Sequence, residues 1–384
     1  MSPLVRKILA QIGSFFLAGA LLYLALRGVD LAEVGEALRT ADYRWLVPLA
    51  GVTLLSHLIR AWRWQMLLEA LPSTQPGLPP KRISLKYAFY SIMIGYMVNY
   101  AAPRAGEFVR SANMAARGKL RFSSVLGTVV VERILDVLTL LLALASIALL
   151  FLDHLGTLNR LFITPLLAQA GRVPLFVVGG VILAVALLVF FIYRRFLMPG
   201  PKARNPWQEK VNEALASFKE GMMTLLQTRS PVALLASTVA IWFCYLLMAY
   251  LPFVIFGMDA TYGLTLLDSW SVMILGAVGV AIPSPGGIGS YHYITIQTLV
   301  HLFKVDQAAA ASYAILSHTG QLILYVVVGA ACLLLQGSSF KTLRRTSRSA
   351  EKEAALEATK IAEQKGAKEA KQAVEPEPLP ATQP

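Results

Sequence analysis

Three short stretches hold residue types that can do chemistry in an otherwise apolar chain. The first runs Asn99-Tyr100-Ala101-Ala102-Pro103-Arg104-Ala105-Gly106-Glu107-Phe108-Val109-Arg110. Proline withholds an amide donor and glycine permits a sharp turn, so Pro103 and Gly106 can break a helix and leave backbone groups open to a ligand. Arg104 offers a planar fork suited to phosphate, Glu107 can pair with it or with Arg110, and Asn99 can satisfy the opened backbone. The bland alternative is a cytoplasmic turn whose charges are solvated. The second stretch is Glu132-Arg133 with Asp136, near the start of a long apolar run. Its spacing places Asp136 on the same helical side as both earlier residues and allows an Arg133–Asp136 pair. Taken together, Arg104, Arg110 and Arg133 would form a positive cavity for a phosphate head group, whereas a purely structural ion pair would explain the acids as well.

The third stretch is Pro283-Ser284-Pro285-Gly286-Gly287-Ile288-Gly289, followed by Ser290, Tyr291 and His292. Exposed amides beside a new helix N-terminus can hold an anion without a charged side chain, and a tight packing turn is the alternative. No Gly-Lys-Ser or Gly-Lys-Thr follows, so it is not a nucleotide loop. His57, Arg60 and Arg63, interleaved with Trp62 and Trp64, read as anchors at the membrane interface. His154, His301 and His318 show no metal-ligand spacing, and neither metal nor cofactor is expected. Asp268 reads as a helix N-terminal acid, with a coupling-ion or proton group as the other possibility.

The elements that must position these residues follow from composition. Of 384 residues, 56% are hydrophobic and only 15% charged, against roughly 25% charged in an ordinary soluble domain. Mean hydropathy is +0.58. A water-soluble enzyme is excluded, and the net charge of +13 fits loops beside an anionic leaflet better than nucleic acid. Cys244 and Cys332 fall inside apolar runs, which gives no support to a disulfide framework.

Apolar runs long enough to cross a bilayer occur at about 8–26, 45–62, 123–152, 173–193, 231–256 and 308–336, so six full spans are expected. The first is too long for a signal-peptide core and reads as an uncleaved span. Two further regions, about 83–102 and 264–304, are interrupted by Pro and Gly. Basic residues flank the first of them on both sides, Arg60 to Lys86 before it and Arg110 to Arg121 after it, so both flanks belong to the cytoplasm. The economical solution is a hairpin that dips in and returns. The second must start and finish outside, because Lys341, Arg344, Arg345 and Arg348 follow the last span. The predicted fold is therefore an all-α polytopic membrane protein with about six full spans and two broken re-entrant helical hairpins entering from opposite faces, as in inverted-repeat transporters. Residues 1–337 form this domain, with both termini cytoplasmic. An amphipathic helix near 207–228 lies on the inner surface, and 338–384 is a charged, disordered tail.

Arg60-Ala61-Trp62-Arg63-Trp64, the stretch Asn99 to Arg110, Val131-Glu132-Arg133-Ile134-Leu135-Asp136 and the turn Pro283 to Gly289, in this order and spacing, resemble the lysylphosphatidylglycerol synthase transmembrane region, also called the flippase-like domain family. The resemblance covers about residues 5–337. It implies lipid translocation at a bacterial-type inner membrane rather than aminoacyl transfer, since the aminoacyl transferase domain of the synthases does not follow in this sequence. The family pattern commonly places an acidic residue where this chain has His292, so a role for that carboxylate does not carry over. The expected partner is a membrane lipid with a phosphate head group. An intramembrane transferase using Glu107, Asp136 or His292 as base, and a non-catalytic subunit serving a separately encoded glycosyl or aminoacyl transferase, are the alternatives.

Overall fold

The computed structural model describes residues 16–71, 82–101, 105–150, 230–282 and 285–337, with a few positions between 216 and 228. The span expected at 173–193, the start of 8–26, nearly all of 207–228 and the tail from 338 lie outside the described residues. Every regular element among the described residues is helical. Helix α1 (Phe16–Leu26) is followed by α2 (Leu31–Thr40), a short 3-10 turn (Tyr43–Trp45) and α3 (Leu46–Glu69). Next come α4 (Leu85–Ala101), α5 (Ala105–Gly118) and α6 (Phe122–Leu150). The last group is α7 (Pro231–Ile255), α8 (Met258–Tyr262), α9 (Leu266–Ala281), a 3-10 turn at Pro285–Gly287, α10 (Ser290–Phe303) and α11 (Gln307–Leu335).

The helix ends are set by local chemistry. Asp30 accepts the amide of Ala32 at 2.8 Å to start α2, Thr265 and Asp268 form a reciprocal capping box on α9, and Asp306 accepts the amide of Ala309 at 2.9 Å to start α11. Each occupies donors that the first helical turn leaves open. Asp268 is thus a capping acid. Among the described residues three stretches are long and apolar enough to cross a bilayer: Tyr43–Glu69, Pro231–Ile255 and Gln307–Leu335, of 27, 25 and 29 residues. At about 1.5 Å per residue each exceeds the roughly 30 Å hydrocarbon layer. Helix α6 also has 29 residues, with its ionisable residues in the first half. The outward faces are apolar: Leu142, Val232 and Leu334 are 73%, 77% and 75% exposed. Such surfaces suit lipid rather than water, and the molecule is a membrane protein.

Two buried clusters are the largest among the described residues. One joins α3, α4, α5 and α6 through Ala61, Trp64, Ile92, Met114 and Val129. The other joins α1, α7, α9, α10 and α11 through Ala25, Phe253, Val272, Ile296 and Tyr313. Helix α11 also packs on α4, where Met93, Met97 and Tyr325 meet. The two regions read as interrupted are helix pairs held by close backbone approach. A Cβ on Gly106 would stand 2.0 Å from the carbonyl oxygen of Gly95, which fixes α5 against α4. A Cβ on Gly279 would stand 3.0 Å from the Ser290 carbonyl oxygen, which does the same for α9 and α10.

Gly106→Ala must push two backbones apart, and overpacking of that kind costs about 1–3 kcal/mol. A thermal scan of the detergent-solubilised protein should show a clear loss of stability. Gly51→Ala, where nothing lies within 4 Å of the new methyl, should be neutral or stabilising. Equal effects at the two positions would remove the close-packing explanation.

Candidate functional site

The site is built from one face each of α3, α5 and α6. Helix α3 places Arg60 and Arg63 one turn apart, α5 contributes Glu107 and Arg110, and α6 contributes Glu132, Arg133 and Asp136. Arg63 Nη2 donates to Asp136 Oδ1 at 2.7 Å and Arg60 Nη1 to Asp136 Oδ2 at 2.9 Å. The spare donors continue into α7: Arg60 Nη2 reaches the Tyr245 hydroxyl at 2.7 Å and Arg63 Nη1 the Thr238 hydroxyl at 3.2 Å. Glu132 lies under the same arginines, with Arg110 Nη1 at 2.8 Å, Arg63 Nη2 at 3.5 Å and Arg60 Nη1 at 3.8 Å. The Arg110 guanidinium also sits 5.0 Å from the Trp64 ring centroid, a cation–π position. Arg63 and Glu132 are wholly buried. Charges in such a place persist only when paired, so these contacts explain one another.

The sequence reading of His57, Arg60 and Arg63 as interface anchors is corrected by this geometry. Arg60 and Arg63 are the main counter-charges of Asp136, and buried His57 lies against Tyr96 and Tyr325 with ring centroids 4.6 and 5.0 Å away. The missed signal was on α6: two acids in an apolar helix demand cations, and Arg133 alone cannot supply both. Glu107 pairs not with Arg110 but with Arg133, at 3.8 Å. The Arg133–Asp136 pair is present at 3.4 Å.

Beside the cluster lies a small open cleft walled by Tyr96, Asn99, Gly106, Glu107, Arg110 and Arg133. Asn99 Oδ1 accepts the Gly106 amide at 2.8 Å and so bridges the break between α4 and α5. Arg110 Nε and Nη2 and Arg133 Nε have no hydrogen-bond partner, and neither do Arg60 Nε and Arg63 Nε deeper in the cluster. The cluster sets four guanidinium groups against three carboxylates, which leaves one positive charge over. An anion is the chemical complement of this wall. Pro103 and Arg104 lie outside the described residues, as does Pro283.

The glycine turn stands apart from the cleft. Gly286, Gly287 and Gly289 adopt φ of 60°, 78° and 84°, which an L side chain resists. The space is also taken: a Cβ on Gly286 would lie 2.8 Å from the Tyr100 ring, and one on Gly289 would lie 2.3 Å from the Ala18 carbonyl oxygen of α1. Pro285 opens the 3-10 turn. His292 Nδ1 accepts the Gly289 amide at 3.4 Å. The two helix breaks therefore meet through Tyr100, and His292 belongs to the turn rather than to the cleft wall.

An all-helical membrane protein whose interior holds a cation-rich cluster beside a broken helix pair is the class that these features define. Residues 11–329 match the lysylphosphatidylglycerol synthase TM region, and the chain belongs to that family. It is also similar to glycosyltransferase AglD of Haloferax volcanii, 24% identical over 362 residues, covering 88% of this chain and 56% of that protein. The chain thus spans little more than half the length of that curated relative. No solved structure matches.

Glu132→Gln should destabilise the protein by about 3–5 kcal/mol, because it leaves buried arginines without their counter-charge. Thermal unfolding in detergent measures this, with Glu36→Gln, whose pair with Arg39 is exposed, as the near-neutral control. A Glu132→Gln variant as stable as wild type would mean that the cluster does not depend on its central acid.

Proposed function

We propose that this chain moves a phosphate-bearing lipid, an anionic phospholipid or a lipid-linked amphiphile, across a bacterial-type inner membrane, and that it does so without catalysing a covalent step. The observation that carries the reading is the set of three unpartnered guanidinium nitrogens on Arg110 and Arg133, two residues that line the cleft. A charged donor left open beside apolar surface is expensive unless a ligand uses it. In this reading α4–α5 and α9–α10 are two re-entrant hairpins entering from opposite faces among six full spans, with both termini in the cytoplasm. The phosphate rests on Arg110 and Arg133, with Arg104 close by in the chain, and Glu107 releases Arg133 as the head group arrives. The contact of Tyr100 with Gly286 supplies the joint across which the two hairpins shift. Family membership supports a lipid-related role.

A second reading takes its support from the relative named a glycosyltransferase, of which this chain matches 56%. The chain would then be the membrane module that presents a lipid to a separately encoded transferase.

The test is transbilayer movement of tail-labelled phosphatidylglycerol in vesicles carrying the wild type or Arg133→Gln. Arg133 is chosen because its side chain is 42% exposed and its loss should spare the fold. The variant should retain normal yield and slow lipid movement about tenfold or more, as expected for one charged hydrogen bond of roughly 1.5–3 kcal/mol. Equal rates in the two proteins would reject the phosphate clamp. Absence of movement in the wild type, with stoichiometric recovery of a transferase on purification, would transfer the case to the second reading.

A further inference from the structure

The interior of the second hairpin holds a polar group that the phosphate cleft does not use. His292 of α10 and His318 of α11 are 5% and 6% exposed, with ring centroids 5.0 Å apart. One side of His318 bonds the Gly286 backbone, Tyr291 stacks on its ring at 5.1 Å, and its Nε2 has no partner. Thr295 and Ser317 place buried hydroxyls beside the Tyr291 phenol. From α4, Tyr100 faces His318 at 6.4 Å. Among the described residues the titratable groups around the pair are thus Tyr100 from α4, Tyr291 from α10 with Tyr313 of α11 beside it, and the two imidazoles themselves, and no carboxylate pairs with either ring.

The group is not isolated. From Tyr100 a line of rings leads to Tyr325 at 6.3 Å, to Tyr96 at a further 5.0 Å and to His57 at 4.6 Å. Tyr96 is also a wall of the cleft. Phenols and imidazoles both donate and accept protons through hydrogen bonds, and imidazole is a side chain that takes up a proton readily where water reaches it. Two histidines 5 Å apart do not both charge easily, so the pair is suited to hold one proton at a time. It touches the turn that must move if the hairpins shift.

We propose that the His292–His318 pair is a proton-binding site that couples lipid movement to a transmembrane pH difference. The inference rests on the translocation reading above. The step is a simple protonation: a proton from the outer water binds the free His318 Nε2, disfavours the packed turn at Gly286 by placing charge inside it, and leaves on the Tyr100 side when the hairpins return. No other bond is made or broken.

The experiment uses the full chain in vesicles that contain tail-labelled phosphatidylglycerol and an entrapped pH dye, with and without an acid-outside gradient of about one unit. Such a gradient can drive up to a tenfold lipid accumulation ratio if one proton accompanies each lipid. Wild type should approach that ratio and acidify the lumen in step with lipid movement. His318→Gln should move lipid at the gradient-free rate in both conditions without acidification. Tyr100→Phe, which keeps the ring against Gly286, should retain the fold and weaken the coupling, so that an effect there cannot be assigned to collapse of the histidine variant. Wild-type movement indifferent to the gradient, with no lipid-linked acidification, overturns proton coupling and leaves translocation standing. Coupling retained in His318→Gln and in His292→Gln overturns the assignment of the site. No lipid movement by wild type under either condition overturns translocation and coupling together.

Discussion

The rest of the structure depends on the need to neutralise two acids inside an apolar bundle. Glu132 and Asp136 sit one turn apart on α6, and low-dielectric surroundings make an unpaired carboxylate there prohibitively costly. Four helices answer that demand: α3 with two arginines, α5 with one, α6 with Arg133 and α7 with the Tyr245 and Thr238 hydroxyls, which take one further donor each from Arg60 and Arg63. The orientation of each helix about its own axis follows from the cluster. Trp64 is then fixed twice, by the Arg110 cation above it and by its indole donating to Thr128 at 2.9 Å.

A second constraint is backbone proximity. Gly95 with Gly106, Gly279 with the start of α10, and Gly329 with Met93 and Met97 let helices approach closer than side chains permit. Small residues at crossings are the ordinary means of helix association in lipid, where the hydrophobic effect gives little between spans. Here they also bring the two helix breaks together. The Tyr100 ring against Gly286 joins the break in α4–α5 to the turn in α9–α10.

Much of this was legible in the residue pattern. Proline and glycine at 283–289 and 99–106 marked the two interruptions, and Asn99 was recognised as the side chain that closes the opened backbone. The acids of α6 stood out because ionisable residues in apolar runs are rare. Arg60 and Arg63 were harder to place, since tryptophans beside them imitate the aromatic belt of a membrane surface and the apolar run of the sequence ends near residue 62, whereas the helix continues to Glu69. Only the tertiary packing of α3 on α6 and α7 turns those two side chains inward. The aromatic line from His57 through Tyr96, Tyr325 and Tyr100 to His318 had no sequence signature at all, because its members come from α3, α4 and α11 and meet by crossing rather than by spacing.

The central claim is that the cleft between α4, α5 and α6 takes the phosphate of a lipid. Native mass spectrometry of gently solubilised protein, with identification of the retained lipids, tests it most directly. Wild type should retain phosphate-bearing lipids of one class, and Arg133→Gln should lose them while remaining folded. Indiscriminate lipid retention that the substitution leaves unchanged would contradict the claim and make the arginine cluster a purely structural ion-pair network.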